Sequence, residues 1–418
     1  MKKKLWIIPC LLMAMTTVGC NGSESVTDNP PSDEDNELKS IEITADELQL
    51  VKSGNDFAFN LFRQAATGQT APLKGKSVIL SPISITYALG MLNNGAAGET
   101  QQQINQVLGF DDAASVNAFC RKMLTEAPSL DKLTKVLISN NIYVNKDYTL
   151  NPGFVTKARD YYDATPESRD FHDGQTMDVI NKWAADHTEQ MIPKVLDEQT
   201  FDAEAVSYLL NAIYFKGSWS EKFDKGQTKD EPFEGAAGKV PMMHQNKEFA
   251  YTEDDLCQAL RMPYGNGAYT MTVLLPREGK TVAEVAAALT AEKWQSIFRY
   301  MGEAIVDVKL PRFESNTDVE LNSIMSALGM PLAFTDFAQF PEFCDTATKI
   351  GFMKQVARIK LNEEGTEAAA VTVIGMNKVT SVGQEPRHVN FHATRPFLYV
   401  ISEQSTGAIF FMGTYTGD

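Results

Sequence analysis

The sequence predicts an α+β fold with largely antiparallel sheets, on three observations. Apolar residues at helical spacing gather in the first half of the chain, and strand-like apolar runs gather in the second. After the acidic, Ser- and Pro-rich stretch 21–40, no second linker of that composition appears and no repeat is found. The folded part is therefore read as one domain, 41–418, large for a single unit. A chain of 418 residues with 43% hydrophobic content can bury a large core.

Residues 1–20 have the layout of an export signal: Lys2, Lys3 and Lys4, an apolar run over 5–15, then the small-residue end Thr16-Thr17-Val18-Gly19-Cys20. The apolar run is too short to span a bilayer. The ending resembles a bacterial lipobox with Thr17 in place of the usual Leu. That resemblance implies lipidation at Cys20 and an extracytoplasmic, membrane-anchored chain, with 21–40 as a flexible tether; ordinary signal cleavage, with Cys20 an incidental cysteine, is the alternative. With Cys10 inside the signal segment, Cys120, Cys257 and Cys344 are left, an odd and widely spaced set that is no disulfide framework and reads as buried thiols.

Helical spacing joins Met177, Ile180, Trp183, Ala184, His187 and Met191, and recurs over 85–92 and 101–108. Strand-like runs occupy 136–144, 206–215, 269–275, 305–310 and 397–401.

The net charge is -16, and -19 without the three signal lysines (35 basic against 54 acidic residues). Such a surface repels phosphate backbones and excludes nucleic acid as a partner. His388 and His392 have metal spacing for a helix, but the flanking Pro386 and Pro396 and the β-branched Val389 and Thr394 point to strand or loop. Gly75-Lys76-Ser77 and Gly279-Lys280-Thr281 look like the end of a phosphate loop, yet Thr70 and Leu274 stand where its first glycine belongs. Ser129 to Lys132 fits Ser-x-x-Lys without the companion motifs of an acylating enzyme. No catalytic constellation, cofactor motif or metal site emerges, so the chain is not read as an enzyme.

The unusual stretch runs from Asn362 through Glu363, Glu364, Gly365, Thr366, Glu367, Ala368, Ala369 and Ala370 into Val371. Helix formers give way to β-formers, with Gly365 as a permissive pivot. As a strand from Thr366 onward, one face would carry Thr366, Ala368, Ala370, Thr372, Ile374 and Met376, with no charge on it. That face can be buried in the middle of a sheet while Glu367 stays in water. An ordinary edge strand fits the pattern as well. Residues 377–390 read as a polar loop.

Together with several motifs in one order, this stretch resembles the hinge and reactive loop of the serpins. The others are Ser81-Pro82-Ile83-Ser84-Ile85, Asn94 to Thr100, Asn211 to Trp219, Leu274-Leu275-Pro276, Leu310 to Phe313 and Arg395-Pro396-Phe397. The resemblance runs from 41 to 417. It implies three β-sheets, eight to nine helices and an exposed reactive-centre loop at about 362–390, in a monomer. It also implies a suicide inhibitor. A protease cleaves the loop, the loop inserts into the main sheet, and the protease is trapped as its acyl-enzyme. The implied partners are serine proteases and some cysteine proteases, with no cofactor. Non-inhibitory members, cleaved as substrates only, carry Pro or charge in the hinge, and neither is present on the inserting face here.

The common spacing places the cleaved bond at Val379-Thr380, suited to elastase-like enzymes. A shift of one gives Lys378-Val379 and a trypsin-like target. Thr366 to Val379 would span about 46 Å as a strand. The resemblance also assigns Ser81, Ser84, Asn211, Trp219 and Gln355 to a sheet-opening network. Gln355 stands where many members have His, which removes titration near neutral pH.

Overall fold

A computed structural model of the chain describes residues 36–366 and 387–418. Cys20 with the signal segment, most of the tether, Glu367, Ala368, Ala369, Ala370, Lys378, Val379 and Thr380 lie outside the described residues.

Six helices come first: α1 (Ala45–Phe62), α2 (Pro82–Asn93), α3 (Gly98–Leu108), α4 (Ala113–Glu126), α5 (Pro152–Tyr162) and α6 (Thr176–His187). Three more, α7 (Val282–Ala288), α8 (Ala291–Tyr300) and α9 (Asn322–Leu328), lie among the later strands. Local chemistry sets their ends. Thr44 and Glu47 form a reciprocal capping box at the start of α1, and Pro82 opens α2. The pattern that predicted α6 as far as Met191 breaks four residues earlier, because Glu189 and Gln190 take positive φ. Gly75 and Gly279, which resembled phosphate loops, both sit at φ +77° outside helix and strand, and Thr281 caps α7.

The first of two sheets contains β2 (Thr134–Asn145), β3 (Pro166–Arg169), β4 (Ser207–Ser218), β10 (Phe313–Glu320), β11 (Lys354–Asn362) and the two-residue β12 (Gly365–Thr366). Its order is β10-β11-β12-β4-β2-β3. The second contains β1 (Val78–Leu80), β5 (Lys229–Pro232), β6 (Lys239–Glu253), β7 (Cys257–Tyr264), β8 (Tyr269–Pro276), β9 (Gly302–Pro311), β13 (His388–His392), β14 (Phe397–Glu403) and β15 (Ile409–Tyr415).

The three expected sheets thus appear, among the described residues, as two hydrogen-bonded units. The cause is β6, whose 15 residues pair with β5 and β9 and then, from Ala250, with β7. One long strand joins what would otherwise be separate sheets. The core lies between the sheets, where Phe215 of β4 meets Tyr269 and Phe411 edge-on at 5.6 and 6.3 Å. Helix α2 packs against both β4 and β15.

Candidate functional site

Among the described residues, strand β12 occupies the six-stranded sheet at one end. Gly365 pairs with Asn362 of β11 and Ser218 of β4, and Thr366 pairs with Leu361 and Gly217. Because β12 is antiparallel to both neighbours, β4 and β11 run parallel to each other. Beyond Thr366, no described strand lies between 207–216 of β4 and 354–360 of β11. A cleft of about 720 Å³ follows this seam, lined by Thr366, both strand edges and, beneath them, Ser81, Ser84 and Ile85 of the α2 start.

The hinge is fixed by its backbone and by charge. Gly365 has φ +145°, and a Cβ there would lie 2.0 Å from the carbonyl oxygen of Gly217, so only glycine fits. The buried carboxylate of Glu363 takes Arg312 as an ion-pair partner and accepts from Thr228 Oγ1 at 2.7 Å. Burial opposes its ionisation most strongly, yet the bonds from Arg312 and Thr228 outweigh that and hold the carboxyl below its ordinary range. Glu364 pairs with Lys222 and Lys225, each at 2.9 Å, and hydrogen bonds from Lys225 and Lys222 lower it too.

Trp219 closes this end from inside. Its indole Nε1 donates to Asn362 O at 3.0 Å, and its ring stacks on Tyr264 at 4.4 Å. Tyr264 OH meets Thr366 Oγ1 at 2.6 Å, and full burial pushes the phenol well above its usual pKa. Thr366 therefore points inward and is 2% exposed.

The remaining predicted residues sit along the cleft. Gln355 bonds the backbone of Ser81 twice: its Oε1 accepts from Ser81 N at 3.1 Å and its Nε2 donates to Ser81 O at 2.8 Å. Ser81 Oγ donates to Phe410 O at 2.9 Å. Ser84 donates to Asn211 Oδ1, and Asn211 Nδ2 donates to Asn140 Oδ1 at 2.8 Å. The structure thus brings together Ser81 with Gln355 and Ser84 with Asn211. Trp219 is separate from them, at the hinge.

Sequence reasoning missed the roles of Arg312, Thr228, Tyr264, Lys222 and Lys225. Arg312 lay inside a recognised motif, but only the fold brings it to Glu363, 51 residues away.

The other candidates carry no chemistry of this kind. His388 and His392 are the ends of a strand, so their spacing is about 13 Å, too far to share a metal ion. Cys120, Cys257 and Cys344 are unpaired and buried, and burial pushes the Cys257 thiol up to about 11.

Residues 52–417 match the family model described as serpin (serine protease inhibitor). The chain belongs to the serpin family. This serpin is 31% identical to Serpin B3 of Homo sapiens, over 88% of its own length and 99% of that protein. It is 30% identical to the leukocyte elastase inhibitor of Equus caballus, with the same coverage. Its fold is similar to that of tengpin, a thermophilic serpin in its native state, with a TM-score of 0.78 at 27% identity over 91% of this chain and 96% of that one. Thyroxine-binding globulin in complex with thyroxine gives a TM-score of 0.76 at 26% identity, covering 87% and 98%. Family membership makes the chain a non-enzymatic protein, and the site of interest is the seam rather than a catalytic centre.

Proposed function

We propose that this serpin is a single-use inhibitor of serine proteases that works by filling its own seam. The serine Oγ of the protease attacks the carbonyl carbon of Val379, an ester forms, and the amine of Thr380 leaves as the peptide bond breaks. The freed strand then enters between β4 and β11 and carries the acylated protease with it.

The observation behind this reading is that Gly365 and Thr366 already form the first two rungs, on both sides, of the strand to be inserted. Extending that register places 367–376 opposite 216–207 of β4, and 367–373 opposite 360–354 of β11. Thr366 points inward, so in the inserted strand Ala368, Ala370 and Thr372 would follow it inward, beside Phe215, Ile213 and Asn211 in turn. No charge enters the core. Thr372 would arrive between Asn211 and Gln355, the one inward row from 366 to 372 where the neighbouring side chains are polar on both sides.

Val379 before the cut suits a protease with a small apolar pocket, and the likeness to a leukocyte elastase inhibitor supports an elastase-like target. Lys378 before the cut would make the target trypsin-like. The N-terminal reading completes the proposal: lipid on Cys20 holds the inhibitor at a membrane surface outside the cytoplasm.

The test is to mix the protein lacking residues 1–20 with elastase and with trypsin, and examine the products on a denaturing gel and by intact mass. A denaturation-resistant band at the summed mass is expected, with a released fragment beginning at Thr380. Cleavage of the loop by both enzymes without that band would reject trapping. Incorporation of labelled palmitate by the full chain, lost in Cys20→Ala, tests the anchor.

A further inference from the structure

The segment that emerges from the tether is bonded to the body at the hinge end of the sheet. Asn36 Nδ2 donates to Asp131 Oδ1 at 2.8 Å, and Asn36 Oδ1 accepts from Lys132 N at 2.9 Å. Glu37 O accepts from Asn266 Nδ2 at 3.1 Å, and Ile41 N donates to Ser405 Oγ at 2.9 Å.

Asp131 is a junction. It is 4% exposed and is satisfied by donors alone: Asn36, Leu133 N at 2.9 Å, Thr134 Oγ1, and Asn266 N at 3.3 Å. Leu133 and Thr134 lead into β2, whereas Asn266 belongs to the turn between β7 and β8. The carboxylate therefore ties the six-stranded sheet to the other sheet. No room is left for slack, because a Cβ on Gly265 would lie 1.9 Å from Asp131 Oδ2.

The same turn supports the hinge. Gly265 N donates to Ser218 O at 2.8 Å, and Tyr264, the preceding residue, carries the bond to Thr366 and the stack with Trp219. In register, Thr134, Gly217 and Thr366 form one row across the sheet. Asn36 thus covers the carboxylate that positions the turn on which Thr366 rests.

We propose that residues 36–41 are a strap whose docking is energetically coupled to docking of the hinge at Gly365 and Thr366. A tension or a binding partner acting on the tether would then change how firmly the first rungs of the strand are held. By linkage, the hinge position must change the hold on the strap to the same degree. The coupling rests on the hinge being the start of strand entry only for its consequence. Its existence is tested without any protease.

The experiment is hydrogen exchange on the full chain and on Asn36→Ala and Asn36→Leu, following the peptide 361–366 and, as reference, the peptide 314–320 of β10. Losing the bonds that cap a buried carboxylate should speed exchange of 361–366 about five-fold in both variants, with the reference unchanged. Equal rates in all three proteins would overturn the coupling. A rise of the same size in the reference peptide would also overturn it, since that is global loosening. A trapping assay on the same variants separates this result from the inhibitor reading, which stands or falls on the covalent band alone.

Discussion

The seam between β4 and β11 is built differently at its hinge end and along the rest of its length. At the hinge end the chain's own backbone fills it, and Glu363, Glu364, Arg312, Lys222 and Lys225 hold the filling in place with charge. Further along, the edges face a cleft, and the polar side chains beneath it are neutral: Ser81, Ser84, Asn211 and Gln355. Ion pairs suit a contact that must stay in one register, because their loss leaves a buried charge unpaired. Neutral hydrogen bonds can be exchanged for others at little net cost, which suits the arrival of a strand in the proposed mechanism.

The sharpest way to break that contrast is to put a charge where the strand enters. In Thr366→Arg, an inward side chain beside Tyr264 becomes a cation with no partner, at a cost of several kcal/mol. The loop should still be cut, while the fraction of protease ending in the covalent complex falls more than about ten-fold. Trapping at the original level would reject strand entry at this point.

The ion pair at Glu363 should respond asymmetrically. Arg312→Ala leaves a carboxylate that is 3% exposed without its cation and should cost about 3 kcal/mol, whereas Glu363→Gln leaves a half-exposed arginine that water can serve and should cost about 1 kcal/mol. Chemical denaturation of both variants measures the difference, and equal losses would mean that the pair is not buried in solution. The pH dependence follows from the same group. Its folded pKa is lowered, so its stabilisation is complete above the unfolded carboxylate value of about 4.3 and disappears as pH falls below it. Arg312→Ala should flatten that acid limb.

The middle of the seam should be insensitive to pH near neutrality until a titrating group is placed there. In Gln355→His, the ring can accept from Ser81 N through one nitrogen only while it is neutral, and protonation removes that acceptor. The folded pKa is then lowered, so stability is full above about 6.5 and falls by at most about 1.4 kcal/mol per pH unit below it. Thermal midpoints at pH 8.0, 6.5 and 5.5 should diverge from those of the parent chain, and parallel profiles would sink the argument.

Much of this was legible in the chain itself. Five strand-like runs became β2, β4, β8, β9 and β14, because short runs of apolar and β-branched residues, alternating or continuous, mark a half-buried or fully buried strand. Gly365 was legible as a pivot, since no other residue takes its backbone angle. The joining of two expected sheets through β6 was not, because the pairing partners of a strand depend on residues far away in sequence. For the same reason the family motifs group Trp219 with Gln355 and Ser84, although its partners are Tyr264 and Asn362. A motif shows that a residue matters before it shows what the residue touches.

The smallest effect belongs to the inward row where the seam is polar on both sides, between Asn211 and Gln355. If the register holds, Thr372 reaches Asn211 and Gln355 only after cleavage, so its hydroxyl contributes to the end state and not to the starting one. Thr372→Val keeps the shape and removes one hydrogen-bonding group, at about 1 kcal/mol. The cleaved form should lose that much stability while the intact form is unchanged, and the yield of complex should fall less than about two-fold. If the intact form is destabilised equally, the residue was engaged before cleavage and the register drawn from Thr366 is wrong. If Ala370→Ser, one inward position earlier, destabilises the cleaved form instead of leaving a hydroxyl neutral, that step in the seam is apolar. Phe215, Ile213, Ile359 and Ala357 require this.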